Sequence, residues 1–535
     1  MRFARPLARS PARPLKLKDY FLCVLSAVLL IISFPNFNFW LFAWFGFVPL
    51  FFALQNKSKI QAFLLAYLSG VVFWLGTVYW LVHVTPPGML LVVFYLALYF
   101  GFFGLIISRP HLVLSPYYLV LVPSFWVSLE YLRGYLLTGF PWALLGYSQY
   151  KNLAAIQIAD ITGAWGVSFL VMMVNVLVYK IVGHQVTLPV RQAGKSPGHK
   201  LQFNYLIPVI LLVFSFGYGF YKLQPRTPNP ACLPVRQEPR TIKISLIQAN
   251  IPQELKWDPR AKESIMRKYL ALTKSAAADI PDLIIWPEAA SPCFLGKEEG
   301  CFKDISGLIQ QIHIPLLFGT VATRGDIFYN SALLVGRDGK YLAQYDKIHL
   351  VPFGEYIPLR KIFPFLDTIV PIGDFSAGKK YTVFEAPNPE HRLPAGQAGT
   401  PNKFSVLICF EDAFPELSRA FVRRGADFLV NITNDAWFGR TSNPYQHLSA
   451  SVLRAVENNV YVVRAANTGV SAFISPRGEI VSVVGDEGGR QIFIEGYRTQ
   501  NINLKEPRLT FYGRWGDVFI FLSSIFIICS IFFKL

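Results

Sequence analysis

The stretch Phe404-Ser405-Val406-Leu407-Ile408-Cys409-Phe410-Glu411-Asp412 begins as a short, mostly apolar run and ends on a thiol and two acids. A run of this kind without alternation reads as a strand buried on both faces, as in sheets covered by helices. The segment from Pro415 reads as a helix, so Cys409 falls at a strand-to-helix turn. Two other strand ends carry an isolated charge. Asp282-Leu283-Ile284-Ile285-Trp286-Pro287-Glu288 closes on a carboxylate, and Tyr341-Leu342-Ala343-Gln344-Tyr345-Asp346-Lys347 closes on an ammonium. Working outward, strands are expected at Ile242–Gln248, Leu283–Trp286, Leu316–Gly319, Ala332–Val335, Phe404–Cys409, Phe428–Ile432, Tyr461–Ala465 and Ala472–Ile474. Helices are expected over 259–278, 303–312, 415–424 and 444–459. This rhythm predicts an α/β sandwich with helix-covered sheets. The residues show no domain-scale repeat.

The remainder of the chain has a different character. Of 535 residues, 53% are hydrophobic and only 16% charged, too apolar for an ordinary soluble protein. Charge is also uneven. Residues 1–221 hold three acids (Asp19, Glu130, Asp160) against fifteen lysines and arginines, a net of +12 within the total of +18. Those basic residues fall mostly in short loops between apolar runs, which argues against a nucleic-acid partner. Runs long enough to cross a bilayer are read at 20–35, 38–54, 61–84, 88–108, 112–132, 163–183, 203–221 and 516–533, about eight transmembrane helices. The first could also be a cleaved signal peptide, but further spans follow it directly and no small-residue cleavage site is evident. Lysines and arginines at the N-terminus, in the 55–60 loop, at Arg109 and in the 184–202 loop all fall on one side, the cytoplasmic one by the positive-inside rule. Segment 222–515 then falls outside the cytoplasm. The organisation expected is a basic N-terminus (1–19), a seven-helix membrane domain (20–221), a linker (222–240), an α/β domain (241–515) and a C-terminal span (516–535). Residues 387–403 read as an exposed loop rich in proline and glycine. No CxxC pair supports zinc chemistry. Cys293 and Cys301 bracket a short polar loop, where a disulfide and two free thiols are both open.

Each candidate residue has a plain alternative. Cys409 could be a small buried hydrophobe, Lys347 a solvated lysine, Glu288 a helix cap and Glu355 a surface carboxylate. Their combination points to acyl transfer. The thiolate is the nucleophile, and a free cysteine titrates near ~8.5, so a base is needed. Glu288 can take that proton and later return it. Lys347 can stabilise an anionic tetrahedral intermediate, helped by the backbone N–H after Cys409. Glu355 can hold that lysine. His349 and His447 keep a Cys–His arrangement open.

The motifs Trp286-Pro287-Glu288, the run 345–358 (Tyr-Asp-Lys-Ile-His-Leu-Val-Pro-Phe-Gly-Glu-Tyr-Ile-Pro) and Ile408-Cys409-Phe410-Glu411-Asp412 resemble the nitrilase, or carbon–nitrogen hydrolase, superfamily. Its Glu-Lys-Cys triad falls on Glu288, Lys347 and Cys409, and it implies an αββα sandwich. Asn250–Trp257, Asn431–Gly439 and Arg464–Ser471 extend the likeness. With Leu129–Gly134 and Thr138–Trp142 in the membrane part, they make the chain similar to the bacterial apolipoprotein N-acyltransferase family. The resemblance implies an inner-membrane enzyme with its catalytic domain on the periplasmic side. Cys409 would take an acyl chain from the sn-1 ester of a phospholipid, typically phosphatidylethanolamine, as a thioester. The α-amine of a lipoprotein's N-terminal diacylglyceryl-cysteine would then receive it. No cofactor or metal is implied, and a monomer is expected. Substrate contacts are expected from Trp257, Phe353, Tyr356, Phe410, Glu411, Asn434, Trp437 and Phe438. Phe353, Tyr356, Trp437 and Phe438 are placed near a lipid entrance because amphipathic rings favour the interface; core packing is the alternative for each. Phe410 stands where the family often has tyrosine, and Ala249 where glycine is common. The 387–403 loop and the Cys293–Cys301 loop look like added material. Two rivals remain: a membrane-anchored amidase or nitrilase acting on a small carbon–nitrogen substrate, and a non-catalytic lipid-binding protein.

Overall fold

The computed structural model describes residues 13–108, 117–187, 199–225, 240–298, 300–357, 375–386, 401–504 and 508–532. The expected Arg109 turn, the linker residues 226–239 and the loop residues 387–400 lie outside them. The chain forms two compact units. One comprises 1–136, 168–214 and 520–535, the other 137–167 and 215–519.

The first unit is helical. A helix stands at each apolar run read from the sequence: Leu17–Ser33, Val48–Leu54, Lys59–Thr77, Pro86–Ile107, Tyr118–Tyr135, Ala164–Thr187, His199–Leu223 and Val518–Phe532, three of them continuing into the second unit. Four of these, within Lys59–Thr77, Pro86–Ile107, Ala164–Gly183 and Leu206–Leu223, are long and apolar enough to cross a membrane. Small residues set the closest packing. A Cβ at Gly104 would lie 2.5 Å from Ala66 Cβ, and one at Gly70 2.8 Å from Phe100 Cβ, so the helices 59–77 and 86–107 approach where glycine permits. Phe47 anchors the interior, with its ring 4.7 Å from Trp126 and 5.9 Å from Phe100.

The second unit carries the sheets. Its strands are β1 (Arg240–Gln248), β2 (Leu283–Ile285), β3 (Phe294–Leu295), β4 (Leu316–Arg324), β5 (Ile327–Val335), β6 (Tyr341–Asp346), β7 (Phe384–Ala386), β8 (Asn402–Ile408), β9 (Phe428–Thr433), β10 (Tyr461–Ala466), β11 (Ala472–Ile474), β12 (Ile480–Val483) and β13 (Gly496–Leu504). One sheet runs β13-β1-β2-β4-β5-β6, with β3 beside β4; the other runs β12-β11-β10-β9-β8-β7. Each has three parallel strands (β1, β2, β4; β8, β9, β10) continued by two antiparallel ones and flanked by an antiparallel edge strand. The repeat absent from the residues is thus present in the topology. Helices Lys262–Ala277 and Gly300–Ile312 bury Ile265, Tyr269, Ile305 and Ile309 against Trp286, Leu316 and Phe318 of the first sheet. Helices Pro415–Arg423 and Asn443–Asn458 pack on the second sheet, and β1 meets β10 between the sheets. The layers are helix, sheet, sheet, helix. Residues 402–403, expected in a loop, open β8 instead, because Lys403 N–H donates to Asp427 Oδ2 at 2.8 Å and Lys403 pairs with Glu385 of β7.

Residues 137–167, expected within the membrane domain, belong to this second unit. Trp142 Nε1 donates to Gln446 Oε1 at 2.8 Å, Ala164 N–H to Glu457 Oε1 at 2.8 Å, and Trp165 Nε1 to Asp517 Oδ1 at 2.9 Å. Cys293 and Cys301 are joined by a disulfide, with their Cα atoms 6.0 Å apart.

Candidate active site

Glu288, Lys347 and Cys409 follow β2, β6 and β8, the strand ends where open α/β sheets place their ligands. Glu288 and Lys347 are buried, and Cys409 is half-buried. Lys347 Nζ lies 3.6 Å from Glu288 Oε1 and donates to Glu355 Oε1 at 2.9 Å. Burial opposes the ammonium, but Glu355 and then Glu288 outweigh it and hold Lys347 above the ordinary lysine range. Glu355 also accepts from Val351 N–H at 2.8 Å, which fixes the 347–355 turn.

Cys409 adopts φ +53°, a left-handed conformation that costs a non-glycine residue about 1–2 kcal/mol. Its carbonyl is pinned from behind by Asn431 Nδ2 at 3.1 Å and His447 Nε2 at 3.2 Å. A buried network anchors those donors. Arg464 donates to Asn431 Oδ1 at 2.5 Å and to Asp435 Oδ2 at 3.1 Å, and His447 Nε2 meets Asp412 Oδ1 at 2.8 Å. Burial and the nearby Glu288 charge push the Cys409 thiol up, against a smaller pull from Lys347. These influences favour the neutral thiol, so a nucleophilic Cys409 would call on a base.

The histidines do not supply one. Both His447 ring nitrogens are taken, Nε2 by Asp412 and the Cys409 carbonyl, Nδ1 by Asp435 and Arg464. Burial, then the Lys347 charge, lower His349 to about 4, and its ring centroid lies 3.7 Å from that of Phe414. Glu288 is better placed. Its Oε1 accepts from Asn330 Nδ2 at 2.7 Å and its Oε2 from Asn434 N–H at 2.9 Å.

Two expected substrate contacts, Glu411 and Asn434, have their polar atoms occupied by the chain itself. Glu411 is fully buried, and its carboxylate is filled by the chain itself. Oε1 accepts from Tyr345 OH at 2.8 Å, Ile348 N–H at 2.7 Å and His349 N–H at 3.0 Å, and Oε2 from Ile408 N–H at 2.8 Å. It ties the Lys347 turn to the Cys409 turn, and burial pushes its carboxyl up to about 7. Asn434 commits its amide to Gln253 at 2.8 Å and Asn467 at 3.0 Å, while its N–H orients Glu288. Of the expected rings, Trp257 (41%), Phe353 (39%) and Trp437 (48%) are exposed, while Tyr356, Phe410 and Phe438 are half-buried. Phe410 stacks on Trp142 with centroids 6.0 Å apart and meets Phe414 edge-on at 5.0 Å.

Sequence reasoning missed Asn330 and Lys256. Asn330 Nδ2 donates at 2.7 Å to both Glu288 and Glu355, joining the two carboxylates that flank Lys347. Lys256 is buried, donates to the Glu288 carbonyl at 2.9 Å, and is lowered to about 8 by burial against the opposing pull of Glu288. Its only signal was its place beside Trp257 in the 250–257 motif.

A family model described as the apolipoprotein N-acyltransferase N-terminal domain matches residues 26–177, and one described as carbon–nitrogen hydrolase matches 243–498. The chain is 39% identical to an apolipoprotein N-acyltransferase of Geobacter metallireducens, over 94% of this chain and 92% of that protein. It is 29% identical to one from Pasteurella multocida, over 96% and 95% of the two chains. Among solved structures, Saccharomyces cerevisiae Nit3, of the nitrilase superfamily, aligns with 52% of this chain and 95% of its own at 21% identity and a TM-score of 0.36.

Proposed function

Because the chain belongs to the apolipoprotein N-acyltransferase family, we propose that its second unit moves an acyl chain from a phospholipid to a lipoprotein amine through Cys409. The observation that carries this reading is the meeting of Glu288, Lys347 and Glu355 around one ammonium, with the Cys409 thiol under the influence of both Glu288 and Lys347. In the first step Glu288 removes the thiol proton as the sulfur attacks the sn-1 ester carbonyl. Lys347 offsets the charge on the tetrahedral oxygen. The carbon–oxygen bond breaks, and the departing lysophospholipid takes the proton from Glu288. In the second step the α-amine of a diacylglyceryl-cysteine attacks the thioester and Glu288 accepts its proton. The carbon–sulfur bond breaks, and the proton returns to the sulfur. Asn330 and Asn434 N–H hold Glu288, while Glu355 holds Lys347. Trp142, Phe410 and Phe414 keep water from the thioester, so an amine and not hydrolysis resolves it.

This is a membrane protein by its family and its apolar helices. We infer about eight crossings, an inner-membrane location and a catalytic domain outside the cytoplasm. Loop charge supports that orientation. The Cys293–Cys301 disulfide supports it independently, since such bonds persist in oxidising compartments. Phosphatidylethanolamine is the donor, and Trp257, Phe353, Tyr356, Trp437 and Phe438 line the lipid entrance.

The test is mass spectrometry of the purified protein in phospholipid micelles. An acyl thioester is expected on Cys409 and nowhere else. Cys409→Ala should carry none and should leave lipoprotein peptide unacylated. N-acylation near the wild-type rate in that variant, or hydrolysis of small amides with no acyl-enzyme from phospholipid, would sink the mechanism.

A further inference from the structure

The disulfide joins residues eight apart in sequence and closes a loop that leaves the Glu288 turn directly. Inside it, β3 pairs with β4 through Phe294 and Val321. Thr320 Oγ1 donates to the Cys293 carbonyl at 3.3 Å and Thr323 Oγ1 to the Leu295 carbonyl at 2.9 Å, so Phe294 is held on both sides. Its ring stacks on Trp257, with centroids 5.8 Å apart and planes at 15°, and meets Phe328 edge-on at 5.9 Å. Lys297 Nζ lies 4.9 Å over the Phe328 ring.

Each ring is tethered beside a residue of the site. Trp257 follows Lys256, which bonds the Glu288 carbonyl. Phe294 lies on the loop that leaves Glu288. Phe328 shares a strand face with Asn330, two residues on, which bonds both carboxylates. Phe375 N–H donates to the Glu355 carbonyl at 2.9 Å, and Ser376 N–H to the Phe328 carbonyl at 2.8 Å, so Phe328 is also linked to Glu355. The three rings form a contiguous apolar wall tethered to residues of the site, with Trp257 41% exposed.

We propose that the disulfide-anchored segment 293–298 is a specificity element of the acyl-donor site, with Phe294 as the contact residue for the transferred fatty chain. This rests on the functional reading above. An acyl chain bound by its ester at Cys409 and leaving past the Glu288 and Asn330 side chains would meet this wall. The ring wall gives it an apolar track at no polar desolvation cost. The disulfide keeps Phe294 in place between Trp257, which is exposed, and Phe328, which is half-buried.

The experiment uses the full-length protein and phosphatidylethanolamines with short or long sn-1 chains, reading Cys409 acylation by mass spectrometry. Phe294→Ala should raise KM for the long-chain donor roughly tenfold, leave kcat unchanged and flatten the preference for long over short chains. Phe294→Leu should recover most of the loss. The Cys293→Ser/Cys301→Ser pair should behave like Phe294→Ala. Because Phe294→Ala keeps the disulfide, the result does not depend on whether the double variant folds. Unchanged chain-length dependence in Phe294→Ala overturns the proposal, as does a rise in KM confined to the lipoprotein acceptor. Wild-type protein that takes no acyl group from phospholipid overturns the functional reading and this one with it.

Discussion

A methyl group added at Gly319 would sit 2.5 Å from the Pro287 carbonyl oxygen and 2.6 Å from both Ala289 N and Glu288 Cα. All three are backbone atoms of the turn that presents Glu288, and none can swing aside like a side chain. Gly319 lies in β4, which is fixed between β2 and β5, so the turn must yield. Restoring ordinary contact takes a shift of about 0.8 Å. The turn is also bonded to Gly319 itself: Gly319 N–H donates to the Pro287 carbonyl at 3.1 Å, and Ala290 N–H to the Gly319 carbonyl at 2.8 Å. A shift of that size along the bonds Glu288 receives from Asn330 (2.7 Å) and Asn434 (2.9 Å) stretches them to about 3.5 Å or beyond, the limit at which they still count. Gly319→Ala should therefore cost about 1–3 kcal/mol of stability through overpacking. It should slow acylation of Cys409 by about a hundredfold at saturating phospholipid, since displacing a reacting group by nearly an ångström has that effect. The assay is rapid-quench acyl-enzyme formation, with a thermal unfolding curve in the same detergent. A Gly319→Ala protein that loses stability but acylates at the wild-type rate would refute Glu288 as the base, because its carboxylate would have moved without consequence.

Glu411→Ala separates a buried tie from a substrate contact. It orphans three backbone N–H groups and the Tyr345 hydroxyl, so roughly 4 kcal/mol of stability should go and kcat should fall, with KM for both substrates nearly unchanged. A selective rise in the phospholipid KM with unaltered unfolding would restore Glu411 as a substrate contact. Lys256 gives a pH signature. Its folded value of about 8 lies below the ordinary 10.5, so between those limits the unfolded chain binds more protons and wild-type stability rises with pH. Lys256→Met lacks that rise, so the wild-type advantage over it should grow by about 3 kcal/mol from pH 7 to pH 10. Parallel stability curves for the two proteins would show that Lys256 is not held in an unfavourable charge state.

The central strands were legible because they are apolar on both faces. Phe404–Cys409 and Phe428–Ile432 were read to within two residues of β8 and β9, and Ala472–Ile474 coincides with β11. The edges were not. β12 is only four residues long and lies half-buried to exposed, and β13 is mostly polar, with Ile502 and Leu504 its only buried residues, so neither offers the long buried run that marks a central strand. The same distinction governs the site. Glu288, Lys347 and Cys409 stood out because each closes an apolar run. Asn330 did not, since its meaning lies in two carboxylates brought to it by other strands. The bonds of Glu411 were not legible either, because its position beside the thiol says nothing about which way its carboxylate turns. Only the four donors around it decide that.

The segment 137–167 shows why a sequence boundary and a structural one can disagree. Thr138–Trp142 lies between apolar runs, and residues 26–177 match the N-terminal domain model, so composition assigns it to the membrane. Its side chains are nonetheless committed to the second unit. Trp142 reaches Gln446 with its nitrogen and stacks on Phe410, and Phe140 lies 6.3 Å from the same ring. Phe410 is the residue after the nucleophile, and its ring partners are Phe140, Trp142, Phe414 and His349. That packing uses ring faces and edges, which phenylalanine provides as fully as tyrosine, so the hydroxyl frequent at this position is not needed to seat the ring. Two of the four partners come from residues outside the 243–498 match to carbon–nitrogen hydrolases. The wall beside the nucleophile is therefore built partly by the portion of the chain that a hydrolase core lacks. Under the proposed mechanism, that is where shielding of a thioester from water must arise.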